Sequence, residues 1–65
     1  MKTLINFIEN RYKMATERGC DPMVMFSQAF GALDFYHHEH PEAYPACEAL
    51  WNECWRPKFE ELIYG

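Results

Sequence analysis

Three stretches of the chain place apolar side chains at helical spacing. In the first, Thr3 occupies a favourable N-capping position, and Gly19 follows Arg18 where a left-handed residue commonly ends a helix. At about 100° per residue, one face of this segment collects Leu4, Ile5, Ile8, Tyr12 and Ala15. The opposite face is polar, so this pattern predicts an amphipathic helix over about residues 3–18.

The second stretch begins at Asp21-Pro22, a strong start signal, because Asp accepts from free backbone amides and Pro at the first helical position needs no partner. The helix should run to about His40, which Pro41 follows. Its predicted inward stripe is Met23, Phe26, Ala29, Phe30, Leu33 and His37, flanked by Met25, Ala32 and Tyr36. We expect this helix to be central and the most buried, with Phe30 as a core anchor.

The third stretch starts near Tyr44 or Pro45. Its apolar stripe is Cys47, Leu50, Trp51, Cys54, Trp55, Phe59 and Leu62. This period continues through Pro57, which predicts one kinked helix or two collinear pieces, with the kink facing solvent. No segment alternates with a period of two. The sequence therefore predicts a small all-α three-helix bundle, more than about 60% helical, as a single domain over residues 1–65.

The composition indicates that many apolar side chains must be buried. The chain has 65 residues, of which 49% are hydrophobic and 17% aromatic. A chain this short buries only about 60% of its unfolded surface, so a packed core needs dense packing or a partner. No apolar run approaches the length of a membrane span, and three cysteines cannot all pair. We therefore expect a protein with reduced thiols in the cytoplasm.

The formal charge of −4 is distributed unevenly. Residues 1–20 carry four Lys or Arg and two Glu, whereas residues 21–65 carry two Lys or Arg and eight Asp or Glu. This distribution argues against nucleic-acid binding over most of the surface, and it favours a basic partner.

Candidate chemistry is limited to histidines and cysteines. His37 and His40 share the inward helix face, so a zinc site with Cys47 and Cys54 is conceivable, although the spacing matches no zinc motif. We expect these residues to be structural instead, and we expect no catalytic, cofactor or metal site. Cys20 precedes a helix N-terminus, but no nucleophile–base arrangement or phosphate loop accompanies it, so the sequence does not favour an enzyme.

The back of the second helix carries apolar residues that a solvated face does not need. Val24, Ser27, Gly31 and Phe35 form a shallow patch where a missing side chain allows another helix to approach closely. Alternatively, Gly31 relieves crowding inside the monomer. We interpret the patch as an interface, which predicts a non-catalytic interaction module that binds another protein or itself, most simply as a homodimer.

Two other functional hypotheses come from different classes. One is a small acidic inhibitor or adaptor that occupies a cationic groove of a nucleic-acid-handling enzyme, as small proteins of mobile elements do, and it rests on the acidic balance of residues 21–65. The other is a metal-binding regulatory protein that uses the histidines and cysteines. The mass in solution and bound zinc discriminate among the three hypotheses.

Overall fold

The computed structural model describes residues 2–65 and shows three helical layers. Helix α1 spans Lys2–Glu17 and α2 spans Pro22–Glu39. A 3-10 turn, Pro41–Ala43, leads into a third helix made of α3 (Tyr44–Leu50), a π-helical turn (Trp51–Trp55) and α4 (Arg56–Tyr64). The described chain is 91% helical and has no strand, which confirms the all-α three-helix bundle.

The end of α1 and the start of α2 form as the sequence predicts, but the predicted N-cap at Thr3 is wrong, because α1 already includes Lys2 and Thr3 lies inside the helix. An Asp21 carboxylate oxygen accepts a hydrogen bond from the Met23 amide at 2.9 Å, which caps α2 ahead of Pro22. Gly19 adopts a positive φ of 70°, and the Cys20 amide donates to the Met14 carbonyl at 3.1 Å, closing α1. These local signals place α1 and α2 side by side with a short connection.

The third helix is one joined, kinked stretch that begins at the 3-10 turn and is interrupted before Pro57. The Arg56 amide donates to the Trp51 carbonyl, five residues earlier, so the turn is wider than an α-helical one. Proline lacks an amide hydrogen, and its ring would clash with the carbonyl four residues before it in a regular α-helix. The wide turn lies just ahead of that obstacle, and Pro57 itself is exposed, as expected.

The core is a single cluster to which all three helices contribute. Its buried residues are Leu4, Ile8, Met25, Ala29, Leu33, Cys47, Trp51, Trp55 and Phe59. Aromatic contacts join the helices. The rings of Tyr12 and Phe59 meet edge to face with their centroids 5.5 Å apart, and the rings of Phe26 and Trp51 stack with their centroids 5.5 Å apart. The predicted stripes of the first and third helices therefore face the core.

The predicted buried face of α2 is wrong, because the helix is rotated about its axis relative to the prediction. Met25, Ala29 and Leu33 are buried, whereas Met23 is 45% exposed and Phe30 is 53% exposed. The helix packs on α1 through its small residues because a short side chain such as Ala29 allows the two backbones to approach closely. Helix α2 is thus central but not the most buried: of the seven exposed large apolar side chains in the described chain, four lie on it.

Candidate interaction surfaces

The outward face of α2 contains all four residues predicted to form an interface. Val24 is 45% exposed, Phe35 is 67% exposed, and Ser27 and Gly31 are also exposed. We call these four residues the α2 face. A Cβ atom added at Gly31 would meet no heavy atom within 4 Å, so the alternative in which Gly31 relieves crowding inside the monomer is wrong.

Met23 and Phe30 extend the α2 face on its other side. Met23 and Phe30 lie on one side and Val24 and Phe35 on the other, and the strip between them contains the small residues Ser27 and Gly31 together with Asp34 and His38. Sequence periodicity had assigned Met23 and Phe30 to the core. The signal that could have found them is that large apolar residues occur on both the inward and the outward half of α2, so the pattern does not define a single buried face.

Phe35 also borders a shallow depression between α1 and α2, together with Phe7 and Tyr36. The Arg11 guanidinium lies over the Phe7 ring at 4.6 Å, and its Nη1 donates to the Gln28 side-chain oxygen at 3.1 Å. Arg11 therefore ties α1 to α2 beside the α2 face without covering Phe35.

A wider groove runs between α2 and the third helix. Its floor is aromatic, because Phe26 stacks on Trp51 and the Phe30 ring meets Trp51 edge-on at 6.0 Å. At one end, the His37 ring packs against the Tyr44 ring at 4.4 Å. We call this feature the aromatic groove. Its wall on the third helix is a row spaced four residues apart: Tyr44, Glu48, Asn52, Arg56, Glu60 and Tyr64.

Acidic groups outnumber basic ones along the aromatic groove. Asp34, Glu48 and Glu60 line it with a single guanidinium, that of Arg56. That guanidinium lies 3.5 Å from Glu60 and donates to the Asn52 side-chain oxygen at 3.5 Å. The groove is thus apolar at its floor and negative at its rim.

The proximity of Glu48 to Tyr44 is visible in its effect on the phenol. A hydrogen bond to the Glu48 carboxylate, and then its negative charge, raises the pKa of Tyr44. Glu48 therefore lies near Tyr44, at the end of the groove where the His37 and Tyr44 rings meet.

The histidines and cysteines considered for a metal site do not converge. The His40 ring packs on Tyr36 at 4.6 Å, and its Nδ1 lies 3.4 Å from a Glu42 carboxylate oxygen, while His38 is exposed. Cys47 is buried in the core, where desolvation raises the pKa of its thiol, and Cys54 is half-buried. Across residues 2–65, no three His, Cys, Asp or Glu side chains come together in a way that could hold a metal ion.

Two further observations concern the chain as a whole. No family model, curated protein or solved structure matches the chain. No helix in the described part of the chain combines the length and apolar content that a bilayer span requires.

Proposed function

We propose that this chain is a small non-catalytic interaction module that self-associates through the α2 face. The observation that supports it best is the exposure of large apolar side chains on α2: Met23, Val24, Phe30 and Phe35 lie on the outward half of the helix, which the monomer does not cover. Exposed apolar residues that are contiguous along a helix are typical of protein–protein contact surfaces.

The small residues of the α2 face define how a second copy fits. If two α2 helices cross antiparallel at Gly31 around a two-fold axis, Phe35 of each copy lies opposite Ser27 of the other. Each phenylalanine then enters the space above a small residue. A self-complementary patch of this kind closes as a dimer and leaves no repeating surface for a longer assembly.

Burial of exposed apolar side chains favours this arrangement, and Val24, Met23 and Phe30 must contribute alongside Phe35 to offset the cost of association. Phe35 exposes 67% of its surface, so covering it contributes about 1–2 kcal/mol per copy. In the crossing described, the two Asp34 carboxylates lie about 9 Å apart along the helix axes, a separation at which physiological salt screens most of their repulsion. For a fold this short, that gain is a large fraction of the total stability.

Light scattering coupled to size exclusion tests the proposal. Wild type at micromolar concentration should have the mass of a dimer, and Gly31→Leu should be monomeric because the added side chain fills the space that the second helix would occupy. Asn10→Leu, which adds the same side chain at an exposed position on α1, is the matched control and should remain dimeric. A monomeric wild type, or a Gly31→Leu variant that associates like wild type, would refute the proposal.

A reducing compartment such as the cytoplasm suits this module. The three cysteines form no disulfide within the described chain. The expected form is therefore a dimer with reduced thiols.

A further inference from the structure

We infer that the aromatic groove is a second docking surface, and that its occupant is a cationic segment of another protein. The segment we infer carries an aromatic or aliphatic anchor flanked by Lys or Arg. This inference goes beyond self-association, because the wall of the groove that carries Glu48 belongs to the third helix, although the opposite wall is α2 and includes Ser27 of the α2 face.

The floor of the groove suits an apolar anchor. Phe26 and Trp51 stack with an interplanar angle of 15°, and Phe30 leaves half of its surface exposed beside them. The groove encloses about 740 Å³, which is enough for a few side chains of a peptide. An inserted side chain would complete the ring cluster and remove the exposed part of Phe30 from water.

The rim of the groove suits positive charge. Three carboxylates and one guanidinium give it a formal charge of −2. The guanidinium of Arg56 is already engaged by Glu60 and Asn52, so it does not neutralise the opposite end. There, neither Asp34 nor Glu48 forms an ion pair within the described chain, and the group beside Glu48 is the neutral phenol of Tyr44. Lys or Arg beside an apolar anchor would meet these two carboxylates.

A second copy of this chain does not offer such a segment. Its cation-rich helix is α1, where Leu4 and Ile8 are buried and the exposed aromatic side chain is Phe7. The Arg11 guanidinium already lies over the Phe7 ring and donates to Gln28, so docking α1 would have to break these contacts. A nucleic acid or an anionic membrane surface would be repelled by the rim.

Fluorescence anisotropy with two labelled helical peptides tests the inference. The first has leucine and phenylalanine on one face and lysine and arginine on the other, and the second replaces every cation by glutamate. The basic peptide should bind saturably, more weakly as salt increases, and the acidic peptide should bind at least about tenfold more weakly. A labelled single-stranded oligonucleotide should not bind.

Charge reversal on the third helix locates the site. Glu48→Lys should weaken binding of the basic peptide by about tenfold or more, and Glu48→Gln should weaken it less. Glu53→Lys is the matched control, since it makes the same change on an exposed residue outside the groove, and it should bind like wild type. Both lysine variants should keep the helical circular dichroism and the solution mass of wild type, which separates this inference from self-association.

Three results would overturn the inference. They are the absence of saturable binding of the basic peptide to wild type, equal binding of the acidic peptide or the oligonucleotide, and equal losses in Glu48→Lys and Glu53→Lys. The last result would mean that the peptide responds to net charge alone.

Discussion

Substitutions at Gly31 distinguish the effect of this residue on the stability of the monomer from its effect on the association of two copies. Gly31 lies in the interior of α2, its φ is not positive, and a Cβ added there meets nothing within 4 Å. Alanine at this position therefore loses no contact and gains helix propensity of about 1 kcal/mol. In a domain of this size, that gain raises the melting temperature of the monomer by about 4–8 °C.

The dimer should respond in the opposite direction as the side chain grows. Association stabilises the folded state more at higher protein concentration, so the urea midpoint of wild type should rise with concentration. Gly31→Leu should have a midpoint that does not depend on concentration, while at high dilution it should be at least as stable as wild type. The reasoning is refuted if Gly31→Ala destabilises the dilute protein, or if Gly31→Leu keeps the concentration dependence of wild type.

Three further predictions concern side chains of the core and the groove. Trp51→Ala should cost about 3–5 kcal/mol because Trp51 is buried, whereas Phe30→Ala should cost about 1–2 kcal/mol because half of Phe30 is already exposed; equal urea midpoints for the two variants would contradict this. Tyr44 should titrate at a higher pH than an unperturbed phenol, and Glu48→Gln should lower the pKa of Tyr44; ultraviolet titration measures both. Because the pKa of Tyr44 is raised in the folded state, the contact with Glu48 stabilises the fold below the unfolded pKa, and this stabilisation is lost as pH rises through the folded pKa. Cys47 should be the last of the three thiols alkylated by iodoacetamide at neutral pH, because burial raises the pKa of the thiol and blocks access of the reagent. Mass spectrometry that finds equal alkylation rates for the three cysteines of the folded protein would contradict this prediction.

The fold could be predicted from the sequence where a signal is local. Asp21-Pro22 and Gly19 act through backbone groups within a few residues of themselves, so the helix ends follow from them directly. The core faces of α1 and the third helix also follow, because polar residues occupy the opposite sides and leave one orientation. Pro57 predicts that the third helix is interrupted. It does not predict a π-helical turn at residues 51–55, because the form of the interruption depends on how Trp51 and Trp55 both reach the core.

The orientation of α2 could not be predicted, and the reason connects it to the candidate site. A helix with polar residues on one side has a unique buried face, but α2 carries Met23, Phe30, Val24 and Phe35 around most of its circumference. Its orientation is then decided by close packing, which selects the face with Ala29 and leaves the larger side chains outside. The same property that makes the orientation ambiguous therefore leaves an apolar surface exposed. Phe35→Gln should therefore lower the solution mass towards that of a monomer while the helical circular dichroism is unchanged, because Phe35 is 67% exposed and contributes nothing to the buried core.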